Sequence, residues 1–328
     1  MIAPDTSYLA ELITLRDYLR FAVSRFVEAG LVFGHGTVSA LDDAAFLILE
    51  TLHLPHDTLD PWLDARLTRA ERTKVMGIIE NRVVTRKPSS YLTRSAYIGP
   101  HRFYVDERVI VPRSFIGELL CAGGAGLPFG LTRSPARVLD LCTGSGCLAI
   151  VAAHTFPGAR VTAVDVSVDA LAVAAANVGR HRLGDRVDLC RSDLYTSVTG
   201  GAYDLIVCNP PYVTADAVAH FPPEHQAEPV LAHLGGADGM DLVRRVLAGA
   251  DAVLTRDGVL VMEIGQGRAT LERDYPGLPF LWLETEHGDG EVFALDAAAL
   301  HDIPKAPSRP KARSASVKSR KAKSTIGV

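Results

Sequence analysis

Apolar residues recur at three- and four-residue steps over the first ninety positions, then shift to short continuous or alternating runs beyond about residue 109. The chain is therefore predicted to pass from helices to alternating strands and helices. Leu12, Leu15, Leu19, Val23 and Phe26 form one stripe, with Gly30 as a stop. Ser39 and Asp42 resemble a capping pair ahead of an apolar stretch at 46–52. Asp60-Pro61 reads as a helix start with proline at the first helical position. Thr68-x-x-Glu71 is a capping box, and its helix must end near Lys87-Pro88. Runs at 96–98 and 103–105 around Gly99-Pro100 predict a hairpin joining two domains. The implied organisation is a helical domain over 1–95, a hairpin linker over 96–108, an α/β domain over 109–298 and a tail over 299–328.

Within the second region, 137–141, 160–164, 187–190 and 203–208 are short β-branched or apolar runs, separated by Ala- and Val-rich stretches such as 170–178. That alternation predicts an α/β fold, a mostly parallel, doubly wound sheet with helices on both faces. A helix over 241–254 leads into a fifth strand at 259–264. Runs at 281–286 and 291–295 about Gly288-Asp289-Gly290 predict a closing hairpin.

Composition adds constraints. The 328 residues are 48% hydrophobic and 22% charged, an ordinary globular balance. No apolar run approaches the ~20 residues a membrane helix needs, and the first twenty residues lack the layout of a secretory signal. Five cysteines without C-x-x-C spacing argue against a disulfide framework or zinc site and fit a reducing cytoplasm. The net charge of −4 hides an asymmetry: residues 301–328 carry eight Lys or Arg and one acid, +7, leaving −11 on the remainder. The tail is expected to be disordered when unbound. Its charge suits contact with phosphates, or it is a solubilising extension without a partner.

The first strand runs directly into Asp140-Leu141-Cys142-Thr143-Gly144-Ser145-Gly146, where the glycines allow a tight turn and let a ligand lie against bare backbone. Such a loop also describes dinucleotide enzymes, as does Asp165, placed about twenty residues later to accept ribose hydroxyls. Asp140 tilts the choice. A carboxylate at the loop base suits the cationic amino group of a methionine moiety better than a pyrophosphate. Asp193, after the third strand, is either a helix cap or an acceptor for an adenine amino group.

Asn209-Pro210-Pro211-Tyr212 follows the fourth strand, at the carboxyl edge where doubly wound enzymes bind ligands. An amide or aromatic amine is a poor nucleophile because its lone pair is delocalised. The Asn209 side-chain oxygen and the Pro210 carbonyl can each accept one N–H, aiming that lone pair at an activated methyl. Pro210 and Pro211 fix the backbone, and Tyr212 offers a ring for the flat face of the amide.

These motifs resemble the protein-glutamine N5-methyltransferases related to HemK, over nearly all of the chain except its tail. Val32-Phe33-Gly34-His35-Gly36-Thr37, Asp42-Asp43-Ala44 and residues 141–147 resemble the branch acting on large-subunit ribosomal protein L-three. Arg86-x-Pro88 with Tyr91, Val111-Pro112-Arg113, Glu228-Pro229 and Gly236-x-Asp238-Gly239 are also similar to the family. The resemblance implies a Rossmann-like class I S-adenosylmethionine methyltransferase domain with a mostly parallel seven-stranded sheet. It also implies a helical N-terminal domain that selects a ribosomal-protein substrate. Cys142, Thr143, Gly144, Ser145, Gly146, Asp165, Leu194 and Asn209 would line the cofactor pocket, and residues 209–212 would clasp the glutamine. Leu194 departs from the release-factor branch, which can carry an aromatic there. His35 reads as shaping a loop or interface, since amide methylation needs no histidine. Three alternatives stay open: glutamine methylation of a release factor, adenine-N6 methylation of nucleic acid, and a non-catalytic ribosome-assembly factor. The adenine reading is disfavoured by the acidic body and an aromatic content of 7%.

Overall fold

The computed structural model describes residues 10–124, 127, 134–199, 202–286, 288–301 and 303; the basic tail from residue 304 onward lies outside the described residues. The predicted stripe folds into α1 (Leu15–Glu28), where Thr14 and Asp17 cap each other's backbone reciprocally. Ser39 caps α2 (Ala40–Leu52) by accepting the Asp42 N–H. The Thr68–Glu71 box opens α3 (Arg69–Thr85), which stops short of Pro88 and is followed by α4 (Ser89–Thr93). Leu15, Phe26, Leu47, Ile48, Met76 and Ile79 close one helical core. Asp60-Pro61 opens only a single 3-10 turn, Asp60–Trp62, instead of the predicted helix. The backbone beyond it is captured by α1: Leu15 and Arg16 donate to the carbonyls of Ala65 and Leu63 at 3.1 and 2.8 Å.

β1 (Ala96–Ile98) and β2 (His101–Phe103) form the hairpin that follows. Its second strand begins two residues earlier than predicted, because Gly99-Pro100 alone makes the turn and Ile98 pairs with His101.

The remaining elements are α5 (Phe115–Cys121), β3 (Arg137–Leu141), α6 (Cys147–Thr155), β4 (Arg160–Asp165), α7 (Val168–Arg180), β5 (Val187–Arg191) and β6 (Tyr203–Cys208), then α8 (Ala215–Ala219), α9 (Pro223–Gln226), α10 (Asp241–Ala250), β7 (Leu254–Glu263), α11 (Arg268–Asp274), β8 (Leu281–Glu284), β9 (Asp289–Asp296) and α12 (Ala297–Leu300). The seven-stranded sheet runs β5-β4-β3-β6-β7-β9-β8, with β9 antiparallel to both neighbours and the other contacts parallel. The helix predicted over 241–254 ends at Ala250, because the Tyr203 N–H takes the Val253 carbonyl at 2.7 Å and draws the chain into the sheet.

Strand alternation sorts side chains to two faces. Val138 of β3, Leu205 and Val207 of β6 and Val259 and Val261 of β7 pack towards α5 and α6. Leu139, Leu141, Ile206, Leu260 and Met262 pack towards α10 and α11. The order reverses between β3 and β6, so the loops leaving those strands bracket a crevice at the carboxyl edge.

Two buried carboxylates tie the segment after β6 to the rest of the chain. Glu224 accepts from Arg86 at 2.7 Å and from the Val32 N–H at 3.1 Å, while Arg86 also donates to the carbonyls of Ala29 and Gly30. Glu228, with no exposed side-chain surface, accepts both Arg113 nitrogens at 2.6 and 2.7 Å and the Val111 N–H at 2.8 Å. His233 Nε2 lies 3.0 Å and His35 Nε2 3.6 Å from it. Burial pushes the His35 imidazole down to about 3, so it sits neutral at this junction, its ring tilted against that of His225 with 4.2 Å between centroids. Burial opposes ionisation of Glu228, but the Arg113 guanidinium holds its carboxyl well below the usual range.

A depressed carboxyl stabilises the fold at neutral pH and loses that contribution as the pH falls below the range where the unfolded group protonates. Glu228→Ala leaves Arg113 buried without its anion. Chemical denaturation at pH 7 should show a loss of about 3–5 kcal/mol, shrinking as the pH is lowered from about 5 towards 3. An unchanged midpoint at pH 7 would count against this junction.

Candidate active site

The loop after β3 is built on left-handed backbone. Cys142, Gly144 and Gly146 all have positive φ, and the Thr143 N–H donates to the Val164 carbonyl of β4 at 2.9 Å. At Gly146 a Cβ would lie 3.1 Å from the Ala174 Cβ of α7, so the turn also sets how closely α6 and α7 approach. Asp140 faces α6 from beneath. Its Oδ2 accepts the Thr143 hydroxyl and the Ala149 N–H, and its Oδ1 is buried without a hydrogen-bond partner. Burial, with the charge of Asp165 adding to it, raises this carboxyl to about 7. From outside the loop, Asn177 donates to the Ser145 carbonyl at 2.9 Å and grips the Tyr104 backbone through both its N–H and C=O.

Above the loop opens a cleft of about 840 Å³ counted out to open solvent at its mouth. Cys142, Gly144, Asp165, Asp193, Leu194, Asn209 and Pro211 line it. Thr143 and Ser145 line an adjoining recess that shares Cys142, Gly144 and Asn209 with the cleft. Asp165 ends β4 and accepts the Gly144 N–H at 2.9 Å and the Ser167 N–H at 2.8 Å, and burial raises its carboxyl. Asp193 is exposed and paired with Arg245 at 2.8 Å, so it sits at the rim. Leu194 is buried and, at φ +50, turns the chain so that its side chain forms an apolar wall beside Val166. Among the described residues, Asp140, Gly146, Pro210 and Tyr212 do not line this cleft.

Asn209 lines both cleft and recess, together with Ile110, Cys142 and Gly144. Among the described residues, neither its side-chain amide nor the Pro210 carbonyl has a hydrogen-bond partner, whereas the backbone around them is fixed. The Val213 N–H donates to the His233 carbonyl and the Gly235 N–H to the Val213 carbonyl, both at 2.8 Å. The Tyr212 ring lies on Gly265, where a Cβ would come within 2.7 Å of it. Its hydroxyl donates to Glu263 Oε1 at 3.1 Å, and Glu263 Oε2 accepts the Ser114 hydroxyl at 2.7 Å and the Phe115 N–H at 3.0 Å. Burial pushes Glu263 up to about 7 and the Tyr212 phenol upward as well, so the tyrosine stays neutral. Tyr212 thus faces a second cleft with Arg113, Phe115 and Met240, on the far side of the loop from the first.

Several lining residues carry no signal in the sequence: Arg108, Val109 and Ile110 from the segment after the hairpin, and Leu231, Ala232 and Leu234 from the segment after α9. The family-like Val111-Pro112-Arg113 and Glu228-Pro229 flank both groups, and their mutual ion pair brings the two segments to the cleft. Glu263 carried no signal at all.

A family model for the methyltransferase small domain matches residues 129–223. A ribosomal protein uL3 glutamine methyltransferase of Bradyrhizobium diazoefficiens is 54% identical, over 88% of this chain and 92% of its own length. Proteins of the same name from Neisseria gonorrhoeae and Burkholderia pseudomallei are 54% and 52% identical, over 87% and 88% of this chain and 95% of their own lengths. With more than half of its residues shared along nearly nine-tenths of its length, the chain belongs to the ribosomal protein uL3 glutamine methyltransferase family.

Proposed function

We propose that the protein transfers the methyl group of S-adenosylmethionine to the side-chain amide nitrogen of a glutamine in the large-subunit ribosomal protein uL3. The observation that carries this reading is the pair of unpartnered acceptors at Asn209 and Pro210, on rigid backbone at the edge of a cleft lined by Gly144 and Asp165. The residues present suit the cofactor. Asp165 is placed for ribose hydroxyls, Val166 and Leu194 offer apolar walls to a base, and the orphaned Oδ1 of Asp140 adds negative potential beneath the loop. When bound, S-adenosylmethionine supplies an electrophilic methyl on a sulfonium.

The chain's own work is positioning. Asn209 Oδ1 and the Pro210 carbonyl each accept one N–H of the substrate amide, which directs the nitrogen lone pair out of the clasp. Both acceptors gain strength as positive charge develops on that nitrogen. Tyr212, anchored through Glu263, keeps the far side of the loop from shifting. No side-chain base is needed before transfer, because the charged product sheds its proton afterwards. Residues 304–328, outside the described set, carry eight Lys or Arg and no acid. We assign them to phosphate contacts with ribosomal RNA, so deleting them should weaken association with ribosomal particles in a salt-dependent way and leave methylation of isolated uL3 intact.

Purified enzyme incubated with labelled cofactor should modify uL3 and not a release factor or an adenine-containing duplex, with the methyl placed on glutamine by mass spectrometry. Asn209→Ala should lower kcat by about 10²–10³ while cofactor affinity stays within a few-fold; wild-type turnover in that variant would sink the clasp. Cofactor affinity should rise between pH 6 and 8, because Asp140 gives up its proton near 7 and the anion favours a cation. Asp140→Asn should bind weakly and flatten that pH dependence, as read by calorimetry.

A further inference from the structure

Far from the cleft, three histidines from three elements converge: His101 on β2, His154 in the last turn of α6 and His181 at the C-terminal end of α7. One ring nitrogen from each lies within 4.8 Å of the other two. We propose that they form a binding site for a divalent transition-metal ion of the zinc type, which fastens the β1–β2 hairpin to α6 and α7.

The geometry of the first pair is already that of a ligand pair. His154 Nε2 and His181 Nδ1 are 3.2 Å apart. Two nitrogens at about 2.0–2.1 Å from a tetrahedral zinc stand roughly 3.3 Å from each other. His181 Nε2 lies 2.9 Å from the Arg102 carbonyl, and a carbonyl accepts only, so this nitrogen carries the proton. That leaves the Nδ1 lone pair pointing at the centre, the arrangement in which a liganding imidazole is oriented by a backbone carbonyl. The third ligand is close: the His101 ring lies nearly parallel to His154, 10° between planes and 4.7 Å between centroids. Lone pairs in parallel planes do not converge on one ion, so the His101 ring has to turn out of this stack for its nitrogen, already within 4.8 Å of the other two, to close the set. His154 is exposed, which leaves the fourth position open to water.

The surroundings favour a cation. His154 and His181 sit at the carboxyl ends of two helices, where the backbone dipoles leave partial negative charge. Arg186 is the nearby positive group, and its guanidinium is held on the carbonyls of Ala153 and Pro157 at 2.7 and 3.1 Å. None of the three lines the catalytic cleft, so the metal is a staple and takes no part in methyl transfer. It lies where the hairpin leaves for Tyr104, which Asn177 couples to the Ser145 carbonyl of the cofactor loop.

The test uses the full chain, stripped with a chelator and titrated with Zn²⁺ by calorimetry and with Co²⁺ by visible absorption. One ion per chain, tight enough for micromolar Zn²⁺ to saturate, and four-coordinate cobalt bands are expected. Zn²⁺ at a hundredfold excess over its Kd should raise Tm by about 5 °C or more. His154→Ala and His181→Gln should each lose binding at least tenfold while keeping wild-type cofactor affinity, which reports that the variants fold. His220→Ala, an exposed histidine elsewhere, should bind like wild type. Absence of saturable binding in the wild type, or binding undiminished in the His154→Ala, His181→Gln double variant, overturns the proposal.

Discussion

The carboxylate of Glu228 is the point on which the arrangement of the site depends. An anion with no exposed surface survives only if enough donors replace its water, and here the Arg113 guanidinium and the Val111 N–H do so, with His233 Nε2 3.0 Å away. Those donors lie more than a hundred residues before Glu228 in the chain, and His35 of the helical region packs against the same group. The consequence reaches the chemistry through the backbone. The chain that leaves Asn209-Pro210-Pro211-Tyr212 runs through Glu224 and Glu228 and returns at Leu234 to bridge Val213. Glu228 therefore anchors the middle of a loop that starts at the acceptors and returns to bridge the backbone just after them. Pro229, Leu231 and Leu234 are carried into the cleft wall by the same path.

Two other buried acids obey the same physics with the opposite outcome. Asp140 and Glu263 both lie at strand ends on the sheet face covered by α5 and α6, and both accept backbone N–H groups from the first turns of those helices. Neither has a cation beside it, so burial raises each to about 7, where Glu228 is driven down. The difference suits their places. Glu228 is structural and must stay charged regardless of ligand. Asp140 lies under a pocket suited to a sulfonium and an ammonium group, and a carboxylate left without a partner there gains most when positive charge arrives. Glu263 instead steadies the Tyr212 hydroxyl.

Much of this was legible because it is written in local backbone demands. Capping at Thr68–Glu71 and Ser39–Asp42, the stops before Pro88, the glycines at 144 and 146 and the run at 209–212 each announce a turn or an end without reference to the rest of the chain. Strand positions followed from apolar runs for the same reason. What could not be read were features that exist only through distant pairing. Asp60-Pro61 has every local mark of a helix start, yet Thr14 and its neighbours take the following backbone. Glu224, Glu228 and Glu263 look like surface acids in sequence, since nothing local tells that Arg86, Arg113 or Ser114 will meet them. Asp140 was read as a cofactor contact, and the structure shows its Oδ2 engaged with the loop and Oδ1 buried behind it.

The clasp itself does not choose its substrate. A glutamine amide and an adenine amine each present a planar NH₂ with two hydrogens, so in the proposed clasp at Asn209 and Pro210 selection would fall to what surrounds them. A nucleic acid approaching the cleft meets a body with an excess of eleven negative charges, a long-range penalty that counterions only partly screen. A polypeptide meets exposed Val230, Leu231 and Leu234 on the segment held by Glu228, with exposed Val38 on the neighbouring loop that carries His35. Apolar side chains beside the clasp reward an extended or looped protein segment and give nothing to a sugar–phosphate backbone. On the proposed function, then, the loop at 209–212 would supply the reaction, and the junction built on Glu228 holds the apolar surface beside it.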